Sequence, residues 1–217
     1  MNILYKGGSA EIVEKKSRFI ATVFPVRSEE EALKLLEQTK KKYWDARHNC
    51  FAYVIGEKNP VERCSDDGEP SGTAGKPMLS ILKERDICNL LVVVTRYFGG
   101  TLLGTGGLVR AYSKATAEGI DQSVVLAKKS GVIYEIETDY TGHGKISYIA
   151  ASMGVEIRDT EFSDLVRIIT LVPDEDFGSF EKKVTEATKG QAVCSITEKV
   201  TYGTCEEGTV IFERFEA

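Results

Sequence analysis

Residues 90–112 of the chain read LLVVVTRYFGGTLLGTGGLVRAY, and this stretch decides the architecture of the first half of the molecule. Its first five residues are apolar and rich in β-branched side chains, which predicts a buried strand. Five glycines follow between positions 99 and 107, and Leu108, Ala111 and Tyr112 then recur at helical spacing. The stretch therefore predicts a strand, a glycine loop and a helix whose first turn is almost bare backbone.

A helix that begins in a glycine loop offers unpaired N–H groups and the positive end of its macrodipole to an anion. Two arginines add fixed positive charge on either side of this loop. The candidate anion contacts are Arg96, Gly99, Gly100, Gly104, Gly106, Gly107 and Arg110. The alternative is that these glycines only permit tight turns and close packing. The stretch alone supports both interpretations.

With 217 residues, of which 42% are hydrophobic and 28% charged, the chain has the composition of a soluble globular protein. No apolar run approaches the roughly 20 residues that a membrane span needs, and the N-terminus lacks a signal-peptide pattern. The five cysteines are widely spaced and form no CxxC pair, which favours free thiols in a reducing compartment. We therefore expect a cytoplasmic protein that contacts no membrane.

Charge is distributed unevenly along the chain. Residues 1–129 contain 20 Lys and Arg against 16 Asp and Glu, a net charge of +4, whereas residues 130–217 contain 8 against 17, a net charge of −9. This difference predicts two domains, 1–129 and 130–217. Only the first of them has a charge that suits a polyanionic partner.

In the first domain, apolar runs predict strands and amphipathic runs predict helices. The predicted strands are 3–5, 17–26, 49–55, 90–94 and 124–126, and the predicted helices are 29–43, 77–86 and 105–120. Ser28, followed three residues later by Glu31, forms a capping box at the start of the first helix. The polar segment 56–75 is predicted to be one long loop, and loops of that length in compact domains are usually functional or mobile.

The second domain alternates strands and helices in the order β-α-β-β-α-β, which is the plan of a split, ferredoxin-like fold. The predicted strands are 132–138, 155–162, 165–173 and 191–202, and the predicted helices are 142–153 and 176–189. Such a fold has an antiparallel sheet with its helices on one face. The segment from residue 203 onward either adds a strand or stays loose.

The segment 66–77, DDGEPSGTAGKP, is another glycine loop that enters a helix. In chain order it is the first glycine loop, and the loop at 99–107 is the second. Its candidate anion contacts are Ser71, Gly72, Thr73, Gly75 and Lys76. Three carboxylates, those of Asp66, Asp67 and Glu69, could hold Mg²⁺ beside a phosphate. They could equally form a solvated turn, because Asp-Gly and Glu-Pro are common turn pairs.

Neither standard nucleotide-binding motif is present. The phosphate-loop template requires Gly where Pro70 stands and Ser or Thr where Pro77 stands. The dinucleotide template requires a third glycine where Val109 stands. Any phosphate site would therefore be of another kind.

Four segments together resemble the YigZ/Impact family: KSRFI at 16–20, ARHNCFAY at 46–53, the loop 66–77, and RYFGG at 96–100 continuing to RAYS at 110–113. The two glycine loops, at this separation and with this arginine–aromatic pair, are highly specific for this family. The resemblance covers residues 1–128, and the remainder is similar to the small C-terminal domain of bacterial members. Arg47 departs from the family pattern, which has a less basic residue there.

The resemblance implies an α+β protein. Its first domain should be the two-layer α/β sandwich seen in a small-subunit ribosomal protein and in domain IV of elongation factor G, and its second should be similar to that factor's domain V. Eukaryotic relatives are regulators of translation that compete for a partner of a starvation-sensing kinase, through a region with an added RWD domain. That domain is not expected here, so that activity is not carried over. For bacterial members the family suggests nucleic-acid or ribosome binding.

Two functions remain. The first is a regulator linked to translation, without catalytic residues, that binds RNA, the ribosome or a translation-associated protein through both glycine loops. Arg47, Tyr97 and Phe98 would contact nucleic acid, although the two aromatics could equally be core residues. The alternative is an Mg²⁺-dependent enzyme that acts on a phosphorylated small molecule or a nucleotide. No cofactor other than Mg²⁺ is expected, and the regulator is preferred.

Overall fold

The chain forms two compact units, Met1–Ala127 and Lys128–Ala217. The computed structural model describes the backbone of residues 1–216 and the side-chain surroundings of residues 1–213, so Ala217, the last residue of the predicted second domain, lies outside the described residues. Each unit has its own buried core and combines helices with antiparallel strands. The predicted α+β class is therefore confirmed.

The first unit contains eight strands and three helices within its described residues. They are β1 (Asn2–Lys6), β2 (Ser9–Glu14), β3 (Ser17–Pro25), α1 (Glu29–Lys42), β4 (His48–Ile55), β5 (Val61–Ser65), α2 (Gly75–Glu84), β6 (Ile87–Cys88), β7 (Leu90–Tyr97), α3 (Thr105–Asp121) and β8 (Val124–Ala127). The capping box is confirmed in its first half, because Ser28 Oγ accepts a hydrogen bond from the Glu31 backbone N–H. Among residues 1–216, no helix combines the length and the apolar character that crossing a bilayer requires.

Strand β7 is the centre of the first unit. It pairs with β3 and β4 in a five-stranded antiparallel sheet of order β2-β3-β7-β4-β5. Because successive side chains of a strand point to opposite faces, Leu91 and Val93 pack with Leu36 of α1 on one face. On the other face, Cys50 of β4 contacts Tyr112 of α3. The first unit thus has a helix on the second face of the sheet as well, beyond the two layers that the family resemblance implies.

Three strands of the first unit were not predicted. The segment 56–75 is not one long loop, because residues 61–65 form the edge strand β5, paired with β4. The edge strand β2 and the two-residue strand β6 were also missed. Most side chains of β2 and β5 are at least partly exposed, so these strands lack the apolar runs that mark buried ones.

The second unit has the predicted order of elements, with one strand added. It contains β9 (Lys129–Thr138), α4 (Tyr140–Met153), β10 (Glu156–Phe162), β11 (Val166–Pro173), α5 (Asp174–Thr188), β12 (Val193–Cys205) and β13 (Gly208–Glu216). The sheet order β10-β11-β9-β12 is that of a ferredoxin-like fold, and β13 extends it as a hairpin with β12. Helices α4 and α5 pack on one face around Ile146 and Phe180.

Candidate functional site

The first glycine loop is filled by one of its own carboxylates. Asp66 Oδ1 accepts hydrogen bonds from the backbone N–H groups of Ala74 and Gly75, at 3.0 and 2.8 Å, and Asp66 Oδ2 accepts one from Gly72 at 2.8 Å. These donors include the start of α2, where an external anion would otherwise bind. Asp66 therefore occupies the place that the sequence assigns to a ligand.

Hydrogen bonding also changes the acidity of this carboxylate. Burial alone raises the pKa of Asp66, but the three backbone donors together outweigh it and hold the pKa below its ordinary value. The hydroxyl of Thr73 is likewise used internally, donating to the Pro70 carbonyl at 2.6 Å. Of the anion contacts predicted in this loop, only Ser71 and Lys76 are exposed.

Arg96 is not a surface cation, contrary to its predicted role as an anion contact. Its Nη1 lies 2.7 Å from Glu69 Oε1, and both side chains are almost wholly buried, at 7% and 3% exposure. The same carboxylate oxygen accepts a hydrogen bond from the Tyr112 hydroxyl at 2.8 Å. The guanidinium also lies over the rings of Phe19 and Phe98, 5.4 and 5.6 Å from their centres. Glu69 of the first loop is therefore held by Arg96 of β7 and by Tyr112 of α3.

A buried thiol belongs to the same network. Cys50 Sγ lies 3.3 Å from the Tyr112 hydroxyl and 2.9 Å from the Asp66 carbonyl oxygen. Burial raises the pKa of Cys50 to about 12 and also raises the pKa of Tyr112. Neither group is poised to ionise near neutral pH, so the network is structural rather than nucleophilic.

The three carboxylates of the predicted magnesium site do not converge. Asp66 binds backbone N–H groups and Glu69 pairs with Arg96, as described above. Asp67 accepts a hydrogen bond from the Asn49 backbone at 2.7 Å and forms an ion pair with Lys40 at 3.2 Å. No group of three potential ligands suited to a metal occurs among the described residues. The predicted site has no counterpart in this arrangement, because each carboxylate already has a protein partner.

The second glycine loop leaves the space at the start of α3 open. Gly100 and Gly104 have φ values of 82° and 73°, a region that favours glycine, and no atom lies within 4 Å of where their side chains would be. No side chain among the described residues caps the start of α3. The exposed Arg110 places its Nη1 3.6 Å from the Cβ position of Gly106, beside that first turn, whereas Gly107 packs on Leu103.

The start of this loop lies at one end of the five-stranded sheet. A Cβ atom on Gly99 would lie 2.0 Å from the carbonyl carbon of Lys16, so only glycine permits this contact. The β2–β3 turn, the start of β4 and the end of β7 meet here, because Arg18 pairs with Tyr97 and His48 pairs with Arg96. We call this region the loop-end surface. The hydrogen bond between the Tyr97 hydroxyl and Asp45 brings the segment between α1 and β4 to the same end. The exposed or half-buried residues of these segments that form the surface are Lys15, Lys16, Arg18, Lys41, Lys42, Trp44, Arg47, Tyr97 and Phe98.

The loop-end surface carries both exposed aromatic rings and exposed cations. Trp44 is 83% exposed and Phe98 is 50% exposed, and Arg47 is exposed between Trp44 and β4. Tyr97 is half-buried, and its hydroxyl donates to Asp45 at 2.7 Å. That hydrogen bond first, and burial second, raise the pKa of Tyr97. Phe98 and Arg47 therefore have the exposure that their predicted contacts need, whereas the Tyr97 hydroxyl is already engaged.

Two features of this surface were missed in the sequence. Trp44, the one tryptophan, lies just after α1 and is exposed although large aromatics are usually covered. Lys15 and Lys16 form the two-residue β2–β3 turn with φ values of 44° and 68°. Such a turn normally carries Asn-Gly, so nothing in the pair of lysines indicates it. A single tryptophan beside a basic segment was the available signal.

Known domain families match both units of the chain. The Impact N-terminal domain matches residues 15–120, and the domain of unknown function DUF1949 matches residues 136–191. The IMPACT family member YvyE of Bacillus subtilis is 42% identical over 187 residues, covering 86% of each chain. The IMPACT family member YigZ of Escherichia coli is 33% identical over 178 residues, covering 81% of this chain and 87% of that one. A crystal structure of a hypothetical protein aligns with a TM-score of 0.57 and 31% identity, over 91% of this chain and 97% of that chain.

Proposed function

Because this chain belongs to the IMPACT family, we propose that it regulates translation without catalysis, by binding RNA, free or within the ribosome, at the loop-end surface. The link to translation rests on the family, whose eukaryotic members are regulators of translation. The choice of RNA rests on the chemistry of the surface. The observation that carries it is the exposure of Trp44 and Phe98 among cations at one end of the sheet.

RNA recognition needs two kinds of group, and this surface offers both. Unpaired bases stack on exposed aromatic rings, and phosphates are held by Lys and Arg. Lys15, Lys16 and Arg47 supply charge beside the two rings, whereas Arg18 is already paired with Glu11 at 2.7 Å. Since residues 1–129 carry a net charge of only +4, the affinity should be modest, salt-dependent and dominated by single-stranded segments.

The glycine loops contribute unequally to this proposal. The first is closed by Asp66, so its role is to hold the fold through Glu69 and Arg96. The second carries Phe98 at its start and Arg110 at its end, and it is the loop that would face the ligand. The Mg²⁺-dependent enzyme is not carried forward, because the carboxylates it requires are engaged elsewhere.

The test is binding of the intact chain to a stem-loop RNA with an unpaired loop, measured by fluorescence anisotropy over a series of salt concentrations. Trp44→Ala should weaken binding about tenfold, the usual effect of losing one stacked base. Arg47→Ala should weaken it less and reduce the salt slope by about 1, the signature of one lost phosphate contact.

Two exposed residues away from the surface serve as matched controls. Arg27 is exposed at the opposite end of β3, and Tyr148 is exposed on α4. Arg27→Ala and Tyr148→Ala should leave both affinity and salt slope unchanged. Equal affinity of the Trp44→Ala variant and the unchanged chain would reject the proposal. Ribosome association that survives removal of exposed RNA would also reject it, in favour of a protein partner.

A further inference from the structure

The exposed apolar side chains of the second unit are concentrated at one end. Five large hydrophobic residues are exposed among its described residues, and four of them, Tyr140, Phe162, Leu165 and Val193, lie where β9 ends and β12 begins. Only Tyr148 lies elsewhere, farther along α4. Single exposed hydrophobics are ordinary, but a contiguous group of this kind marks an interaction surface.

A cavity of about 390 Å³ opens at the same end, a volume within the range of binding pockets. It lies between the start of α4, the end of α5 and the adjoining strand ends. Its lining includes Glu137, Thr141, Lys145, Leu165, Lys189 and Val193. Lys145 Nζ donates to the Ala187 carbonyl at 3.1 Å and so provides a partner for one backbone carbonyl in the last turn of α5. The exposed Leu165 and Val193 thus form an apolar rim on a polar depression.

An aromatic cluster extends this rim. The ring of Phe162 stacks with that of Tyr140, with 6.2 Å between centroids, and packs edge-on with His143 at 5.3 Å. The Tyr140 hydroxyl donates to the Ser163 carbonyl at 2.7 Å, which fixes the ring against the β10–β11 turn. The rings are therefore held in place before any partner arrives, which lowers the entropic cost of binding.

The charge around this surface identifies the kind of partner. Residues 130–217 carry a net charge of −9. At the groove itself, the three exposed carboxylates of Glu137, Asp139 and Asp164 face two lysines, Lys145 and Lys189, and Lys145 is engaged with the Ala187 carbonyl, so acidic groups are in excess there as well. We propose that this end of the second unit, defined by the cavity and the Tyr140–Phe162 cluster, is a docking groove for a basic, apolar-anchored segment of a partner protein.

The chemistry of the segment follows from the groove. A leucine-sized side chain would enter between Leu165 and Val193, while an arginine would lie over the Phe162 ring and pair with a carboxylate. RNA is disfavoured because residues 130–217 are strongly acidic, and a second copy of the chain is disfavoured because two such segments, each of net charge −9, repel. The groove is independent of the loop-end surface and would stand even if RNA binding failed.

Three designed peptides test the proposal on the intact chain. The first alternates Arg and Leu, the second replaces Leu by Ser, and the third replaces Arg by Asp. Calorimetry or anisotropy should detect saturable binding of the first peptide at moderate salt. The second should bind at least about tenfold more weakly, because the apolar anchor is lost, and the third should not bind.

Variants of the chain then locate the peptide. Phe162→Ser and Val193→Ser should each weaken the Arg-Leu peptide about tenfold, and Glu137→Gln about threefold with a smaller salt dependence. Tyr148→Ser removes a comparably exposed side chain from the same unit and should change nothing. Because Val193 and Glu137 are exposed, their substitution should leave the unfolding temperature unchanged, whereas Phe162→Ser also removes the ring contacts with Tyr140 and His143. Val193→Ser provides a second readout if Phe162→Ser unfolds.

Three results would overturn the proposal. The first is equal binding of the Arg-Leu and Arg-Ser peptides, which would mean non-specific charge attraction. The second is peptide affinity that Phe162→Ser and Val193→Ser both leave unchanged. The third is concentration-dependent self-association that Phe162→Ser abolishes, which would make a second copy the occupant.

Discussion

The two glycine loops look alike in sequence, but they differ in what covers the start of the helix that each one enters. In the first, Asp66 accepts three backbone N–H groups and Gly75 is pressed against the backbone of Ser65, 2.8 Å from where its Cβ would lie. In the second, no described side chain caps α3, and the space around Gly104 is open. A glycine loop is therefore an anion site only if the chain supplies no anion of its own.

The comparison separates structural roles from binding roles. The first loop contributes Glu69 to a buried pair with Arg96, so its polar groups hold the fold. The second begins with Phe98 and Gly99 at the loop-end surface, where its residues face solvent or the β2–β3 turn. Substitutions in the first loop should act on stability, and those around the second mainly on binding.

The largest effect is expected where the first loop is tied to the sheet. Arg96→Met leaves Glu69 buried without its cation and should lower the free energy of unfolding by about 3–5 kcal/mol. The double variant Arg96→Met/Glu69→Leu should recover much of that loss, since no unpaired charge remains. Urea denaturation measures both, with Arg27→Ala as the exposed control. A loss below about 1 kcal/mol for Arg96→Met would show that the pair does not hold the loop.

A smaller loss, about 2 kcal/mol, is expected for Asp66→Asn at neutral pH, because an amide N–H₂ replaces one of the accepting oxygens. The pKa of Asp66 is lower in the folded chain than in the unfolded chain, so its stabilisation is present above the unfolded pKa and is lost as the pH falls through the folded pKa. The difference between the two proteins should therefore shrink below about pH 4. Urea denaturation across acidic pH checks this, and a constant difference would contradict it.

Matched alanine substitutions compare the two helix starts directly. Gly75→Ala should cost about 1–3 kcal/mol, since its Cβ would meet the Ser65 backbone. Gly106→Ala should gain about 0.5–1 kcal/mol, because its φ is not positive and only the flexible end of Arg110 lies near its Cβ position. Thermal unfolding gives both values. A loss at Gly106 would show that the second helix start is packed rather than open.

A small gain in stability is also expected at the β2–β3 turn beside the second loop. Replacing Lys15 and Lys16 by Asn and Gly suits their positive φ values and should raise stability by about 1 kcal/mol. The same replacement removes two cations from the loop-end surface, so RNA affinity and its salt slope should fall. Opposite signs for stability and binding are the expected result. A parallel change in both would mean that the lysines serve the fold alone.

Local pattern predicted most of the elements because most of them are buried and periodic. The run at 90–94 forms the first five residues of β7, and the β-α-β-β-α-β order of the second half was confirmed. The edge strand β5 was missed because its half-exposed residues carry no such period. The roles of the candidate site residues were less predictable than the elements. A carboxylate in a loop looks the same in sequence whether it faces solvent, a metal or its own backbone.

By itself, the sequence determined the α+β class, the two-part organisation and the family, because these depend on the periodicity of apolar residues, on the change of net charge along the chain and on the spacing of glycines. Only the tertiary structure decided that Asp66 closes the first loop, that Arg96 is buried and that Trp44 is exposed beside Arg47. The physical reason is that a polar group takes whichever partner the fold brings within hydrogen-bonding distance. That distance depends on residues far apart in the chain, such as Glu69 and Arg96, which no local pattern connects.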